Sequence, residues 1–167
     1  LPPDIRITEI KIVSDEFHAQ YSVIKKKYRY LIRNEPITSP FEYRYVWTII
    51  QPLDKTKLHD TASSLIGTHD FQNLSYQTKD KDTIRTIDQI NIFQDHDRRI
   101  IIEVEACGFL HKMVRFCVGL ITDVALNRGD RSNIHNILTQ PSTINITVAP
   151  AKGLYLHHVD YGGLLET

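Results

Sequence analysis

The chain has 167 residues, with 20 Lys and Arg set against 20 Asp and Glu, a length that suits one domain burying roughly 70% of its unfolded surface. Balanced charge excludes a global field that draws in nucleic acid, so an anionic partner must meet a local patch. No apolar run reaches the length of a membrane span and no basic-then-apolar leader opens the chain, so the cytoplasm is the expected location.

Ile5, Ile7, Ile10 and Ile12 alternate with polar residues and predict a strand over 5–13, slipped in phase at its centre. A polar connection, Ser14 to Ala19, leads to a long strand from Gln20 to Asn34 with two unlike faces. Ile24, Lys26, Tyr28, Tyr30 and Ile32 share one side, while Lys25, Lys27, Arg29, Leu31 and Arg33 share the other. The second side is either a solvated edge or a row of cations within reach of several phosphates.

Two prolines mark a turn over 34–40, and the aromatic, β-branched run Tyr43 to Ile50 predicts a strand returning beside the first. Asp54 is a plausible N-cap for a helix whose stripe is Leu58, Ala62, Leu65 and Ile66 and whose stop is Gly67. Thr68 to Asp82, with Lys79-Asp80-Lys81-Asp82, predicts a polar, mobile loop. Ile84–Phe93 and Arg98–Ala106 alternate about Gln94-Asp95-His96-Asp97 and predict a hairpin.

A helix follows from about Leu110 to Asn127. Leu110, Met113, Val114, Cys117, Leu120, Ile121, Val124 and Ala125 gather on one side, and His111, Lys112, Arg115, Gly119 and Thr122 on the other. Arg115 thus sits one turn into a helix fixed by an apolar stripe, with Gly119 leaving room beside it. A guanidinium held this way suits a carboxylate or phosphate, although an amphipathic helix with a solvated basic edge fits the same periodicity. Asp130 or Ser132 should cap a short helix to Thr139, halted by Pro141, and Gly153–Tyr161 gives a last strand. The order β-β-β-α-β-β-α-α-β predicts one α+β domain over 1–167, a mostly antiparallel sheet with helices on one face.

Several chemistries lack their residues. The eight histidines include no metal-ligand spacing, and His157 and His158, adjacent on a strand, should point to opposite faces; no metal site is expected. Gly-x-Gly-x-x-Gly, the P-loop and Gly-x-Ser-x-Gly are absent. Cys107 and Cys117 read as free thiols of a reducing compartment, with Cys117 on a buried helix face where a nucleophile does not belong. The start at Leu1-Pro2-Pro3-Asp4, with Met113 the sole methionine, suggests a fragment or processed piece.

Five motifs occur in order: Lys25-Lys26-Lys27-Tyr28-Arg29-Tyr30, Gly67-Thr68-His69-Asp70-Phe71, Thr83-Ile84-Arg85-Thr86-Ile87, Gly108-Phe109-Leu110-His111-Lys112-Met113-Val114-Arg115, and Ala149-Pro150-Ala151-Lys152-Gly153-Leu154-Tyr155-Leu156. Together with the opening Leu-Pro-Pro-Asp-Ile they resemble the C-terminal half of the TruA-type tRNA pseudouridine synthases, over nearly the whole chain.

The resemblance implies a ferredoxin-like or RRM-like half of an isomerase that detaches uracil from its ribose, turns it and rejoins it through carbon. Its targets are uridines on the 3′ side of the tRNA anticodon stem and loop. It uses no cofactor and acts as a homodimer. The family nucleophile, an Asp in an Arg-Thr-Asp-Ala-Gly motif, belongs to the N-terminal half; none of Asp4, Asp15, Asp70 or Asp82 has comparable surroundings, so this chain alone should be inactive. Tyr28 matches the tyrosine that stacks on the target uracil and can accept a proton. Arg115 matches the basic partner of the catalytic Asp, which a neighbouring cation keeps ionised, and Leu154 an apolar residue lining the base pocket.

Lys25, Lys27, Arg29, Arg85 and Lys112 are candidate substrate contacts through tRNA phosphates, with Arg33 beside them. Lys112 stands where a second His is frequent in the family, and Phe116 where a small polar residue is frequent. A non-catalytic RNA-binding α+β module is the alternative, and a dimerisation domain a further one.

Overall fold

The computed structural model describes residues 1–76, 82–129, 133–140 and 145–165. Its elements are β1 (Lys25–Arg33), β2 (Trp47–Thr48), α1 (Lys55–Ser64), β3 (Gly67–Asp70), β4 (Ile84–Gln94), β5 (Ile100–Ala106), α2 (Met113–Ala125), α3 (Ile134–Thr139) and β6 (Leu154–Asp160). The six strands form one mixed sheet in the order β2-β1-β5-β4-β3, with β6 also paired to β1. This is the expected α+β class.

Register sorts the side chains of β1. Tyr28, Tyr30 and Ile32 lie opposite Val104, Ile102 and Ile100, and this face meets the helices; Lys27, Arg29 and Leu31 lie opposite Glu105, Glu103 and Ile101 on the other. The core gathers Tyr30, Ile32, Ile90, Ile102 and Val104 from the sheet with Leu58, Leu65, Met113, Cys117 and Ile121 from the helices. Burial of such side chains, about 1.5–3 kcal/mol each, holds the layers together.

Local signals fix several boundaries. Asp54 caps α1 by accepting from the Lys57 amide at 3.1 Å, as its position predicts. Helix α1 ends at Ser64 with Leu65 as its cap; Gly67, at φ +108°, opens β3 instead. Helix α2 spans Met113–Ala125, within the predicted range, and starts at Lys112 in a left-handed conformation. The side expected to be polar is partly covered: Gly119 and Thr122 are buried, as is Asp123.

Other expectations are corrected. Residues 5–13 form no strand, and Ile10 and Ile12 are 85% and 95% exposed; both edges of β1 are taken, by β5 and by β6 with β2, so no ladder is open there. The predicted Gln20–Asn34 strand starts only at Lys25, because the His18 ring accepts the Gln20 and Tyr21 amides and holds a turn. Of Tyr43–Ile50 only Trp47–Thr48 is strand, and it runs parallel to β1 rather than returning as a hairpin. Turns donating to the carbonyls of Ser39 and Glu42 use up the preceding residues.

The expected loop over Thr68–Asp82 contains most of β3 and the buried Phe71 and Leu74. Lys79, Lys81, the caps Asp130 and Ser132, and Pro141 lie outside the described residues. A bulge between Lys27 and Tyr28 interrupts the β1–β6 register and brings His158 opposite Lys27. The simple alternation expected at His157 and His158 is therefore broken there.

Candidate active site

The helix-facing side of β1 and the start of α2 carry the residues singled out by motif. The Tyr28 ring is half-buried and meets Phe109 edge-on, with centroids 5.2 Å apart and an 88° interplanar angle, the geometry aromatic quadrupoles favour. Tyr30, fully buried, donates its hydroxyl to the Pro150 carbonyl at 2.7 Å. Leu154 lies directly opposite Tyr30 in the β1–β6 register, and Leu156 opposite Tyr28.

Arg115 joins this neighbourhood through the irregular run 145–149. Its Nε donates to the Ala149 carbonyl at 2.6 Å, and the Ala149 amide donates to the Arg115 carbonyl at 3.2 Å. Two further features pin the run to α2. Asp123 accepts from the Thr147 amide at 3.0 Å and from its hydroxyl at 2.9 Å. A Cβ on Gly119 would lie 1.6 Å from the Thr147 carbonyl oxygen, so only glycine admits this approach. Gly119 thus leaves room for a backbone rather than for the guanidinium itself.

Tyr30 is the neighbour that Arg115 and Leu154 share. Burial pushes its phenol well above the ordinary range, while the Arg115 cation pulls the other way. Arg115 is half-buried and has no carboxylate partner among the described residues. Its Nε is committed and its terminal nitrogens face no acid, which leaves a planar donor pair for an incoming anion.

The cationic row has a different setting. Glu105 bridges Lys25 at 3.3 Å and Lys27 at 3.2 Å. Arg29 donates from Nε and Nη2 to Glu103 at 2.9 and 2.6 Å, and Arg33 pairs with Glu42 at 2.6 Å. These cations occupy the helix-free face, away from Tyr28 and Arg115, each against a carboxylate. Arg85 lies on β4 opposite His69, 3.8 Å from Asp82. Lys112, at φ +60°, sets its ammonium 3.8 Å from the centroid of the Tyr76 ring, a cation–π contact. No cluster of three or more His, Cys, Asp or Glu suited to a metal occurs among the described residues.

The motifs contain Tyr30, Phe109 and Ala149 without assigning them a role, and Asp123 went unmarked. Tyr30 shares a strand face with Tyr28 and Asp123 lies two turns beyond Arg115, so both were within reach of periodicity. Ala149 belongs to a run whose contacts only the tertiary structure reveals.

Comparison with known proteins completes the picture. A family profile described as tRNA pseudouridine synthase matches residues 61–162, a range that includes Arg115 and Leu154 and begins after Tyr28. The tRNA pseudouridine synthase A of Thermoanaerobacter sp. (strain X514) is 39% identical over 163 residues, covering 96% of this chain and 66% of the relative. Those of Limosilactobacillus reuteri (strain DSM 20016) and Wolbachia pipientis wMel are 34% and 38% identical, covering 97% and 94% of this chain and 64% of each relative. The chain thus spans just under two thirds of the length of these relatives.

Proposed function

Because the chain belongs to the tRNA pseudouridine synthase family, we propose that it forms the C-terminal half of an enzyme that isomerises uridine to pseudouridine in tRNA, on the 3′ side of the anticodon stem and loop. The observation that carries this reading is the state of Arg115: anchored through Nε on Ala149 and without an acid partner among the described residues. A catalytic carboxylate, supplied by the further length the relatives possess, would meet that guanidinium and be held ionised.

In the reaction the N1–C1′ bond breaks, the uracil turns, a C5–C1′ bond forms, C5 loses its proton and N1 gains one. Tyr28 stacks on the base and accepts a proton through its hydroxyl, with Phe109 fixing the ring. Leu154 lines the apolar side of the base. Extruding a stacked uridine costs a few kcal/mol, which base stacking and phosphate contacts must offset. Arg85 and Lys112 suit those contacts; Lys25, Lys27 and Arg29 join them by exchanging a carboxylate for a phosphate. The chemistry calls for no cofactor or metal. A cytoplasmic homodimer is the proposed working form.

The test is tritium release from C5-labelled uridine in tRNA. The chain alone should be silent, and turnover should appear when the portion carrying the Arg-Thr-Asp motif is supplied. That turnover should be lost in Tyr28→Phe and in Arg115→Ala. Silence from a folded, associated mixture would instead favour the non-catalytic RNA-binding module.

A further inference from the structure

The stretch between β1 and β2 is held from within and bare on its outside. Arg33, nearly buried, donates to Glu42 at 2.6 Å and to the Asp97 carbonyl at 2.5 Å. Asn34 donates to the carbonyls of Ile49 and Gln51, both at 2.7 Å, and the Thr38 and Thr48 hydroxyls lie 2.7 Å apart. From β6, Tyr155 donates to the Tyr45 carbonyl at 2.8 Å, and from the preceding turn Lys152 donates to the Tyr43 carbonyl at 2.6 Å. A loop tied at so many points offers its outward groups at little further ordering cost.

Those groups are aromatic and cationic. Tyr43 and Tyr45 are 50% and 58% exposed, and Phe41 is 89% exposed. The Arg44 guanidinium carbon lies 6.0 Å from the Tyr43 ring centroid and the Lys152 ammonium 5.2 Å from it. Neither cation has a carboxylate partner among the described residues, and the adjacent Glu42 is turned inward onto Arg33 and Arg99. This contrasts with Lys25, Lys27, Arg29 and Arg33, each of which meets an acid. Two like charges beside one half-exposed ring favour an anion bound next to them, and the exposed part of a tyrosine ring offers a surface on which a base can stack.

We infer that Tyr43, Arg44 and Lys152 form a second RNA contact, which stacks an unpaired base on the tyrosine and holds a neighbouring phosphate between the two cations. It adjoins the candidate active site: Lys152 stands between Ala149, the anchor of Arg115, and Leu154, and within three residues of either the chain spans at most about 11 Å. This rests on the tRNA reading proposed above and extends it along the strand. A protein partner for Phe41 and Ile37 is the competing occupant, and the uncompensated cations favour RNA.

The experiment is anisotropy titration of a labelled anticodon stem-loop RNA with the full chain, at several salt concentrations. Tyr43→Phe should bind within about two-fold of the parent, and Tyr43→Ala about ten-fold more weakly, the loss expected of one stacked base. Arg44→Gln with Lys152→Gln should lower the slope of log affinity against log salt by about one to two. Thermal melts matching the parent establish that each variant is folded. Parental affinity and slope in the variants would overturn this contact and leave the tRNA reading standing, as would no RNA binding by the parent when tritium release still appears in the mixture with the Arg-Thr-Asp portion. Absence of both binding and release would overturn both. Unchanged RNA binding with lost self-association in sedimentation would assign the loop to a protein interface and also overturn it.

Discussion

Arg115 and Ala149 exchange hydrogen bonds in both directions, the arginine Nε to the alanine carbonyl at 2.6 Å and the alanine amide back to the arginine carbonyl at 3.2 Å. The pair fixes one edge of the guanidinium and leaves the other for an anion. An ammonium cannot reproduce this, because it has no second planar edge to offer. Arg115→Lys should therefore fail almost as fully as Arg115→Ala, each lowering turnover by about 10²-fold or more with little change in KM. Stability should fall by only about 1 kcal/mol, the usual worth of one lost hydrogen bond. Tritium release gives the first quantity and urea unfolding the second.

Gly119 makes that pairing possible from one turn away. A methyl group there would meet the Thr147 carbonyl at 1.6 Å, and the obstacle is backbone that cannot swing aside. Gly119→Ala should push the run 145–149 off α2 and cost about 1–3 kcal/mol, or roughly 2–12 °C in Tm. Since Ala149 would move with Thr147, turnover should fall as well, although Gly119 itself is buried against the 145–149 run. A melt combined with the tritium assay checks both.

The two thiols should behave in opposite ways. Cys107 is exposed, whereas Cys117 is enclosed within α2 and burial pushes its thiol up to about 12. The thiolate is the reactive species, so a disulfide reagent at neutral pH should modify one thiol rapidly. The second should react only as the helix layer opens, at a rate that follows unfolding. Two rapid equivalents would contradict the packing of α2 against the sheet.

How much of this was legible in the sequence depends on how far each interaction reaches along the chain. The stripe of α2, the Asp54 cap and the β4–β5 hairpin rest on local periodicity and were read from it. The isoleucines of 5–13 show the limit of that signal, since alternation states a capacity to pair and not a partner. The cationic row was legible as a row, but its neutralisation was not: Arg29 meets Glu103 only through a register between strands 74 residues apart. Likewise the run 145–149 has no period of its own, and its place beside Arg115 follows from Gly119 and Asp123 acting together. The five ordered motifs drew attention to Tyr28, Arg115 and Leu154, and the fold supplied the shared neighbour, Tyr30.

The ladder on the helix-free face contributes to the pH dependence of stability, alongside Asp95, whose carboxyl is also lowered. Glu105 is held below the usual carboxylate range, first by its hydrogen bond from Lys27 and, against the opposing effect of burial, by Lys25. A carboxyl that binds its proton less readily when folded stabilises the fold above its unfolded pKa, and that contribution disappears as pH falls through the lowered value. Lys25 is raised above its ordinary value, chiefly by the hydrogen bond to Glu105 and then by the charge of Asp88. Its contribution is complete below the unfolded lysine pKa and disappears as pH rises through the raised value. Stability should therefore hold a plateau through neutral pH and decline at both ends. Glu105→Gln should lower the plateau and flatten the acid limb, while Asp88, 3.5 Å from Lys25, preserves part of the alkaline one. High salt should narrow the gap between parent and variant, because these side chains border solvent. Urea midpoints across pH at two ionic strengths decide the matter: an acid limb as steep in Glu105→Gln as in the parent would place the titrating carboxylates elsewhere.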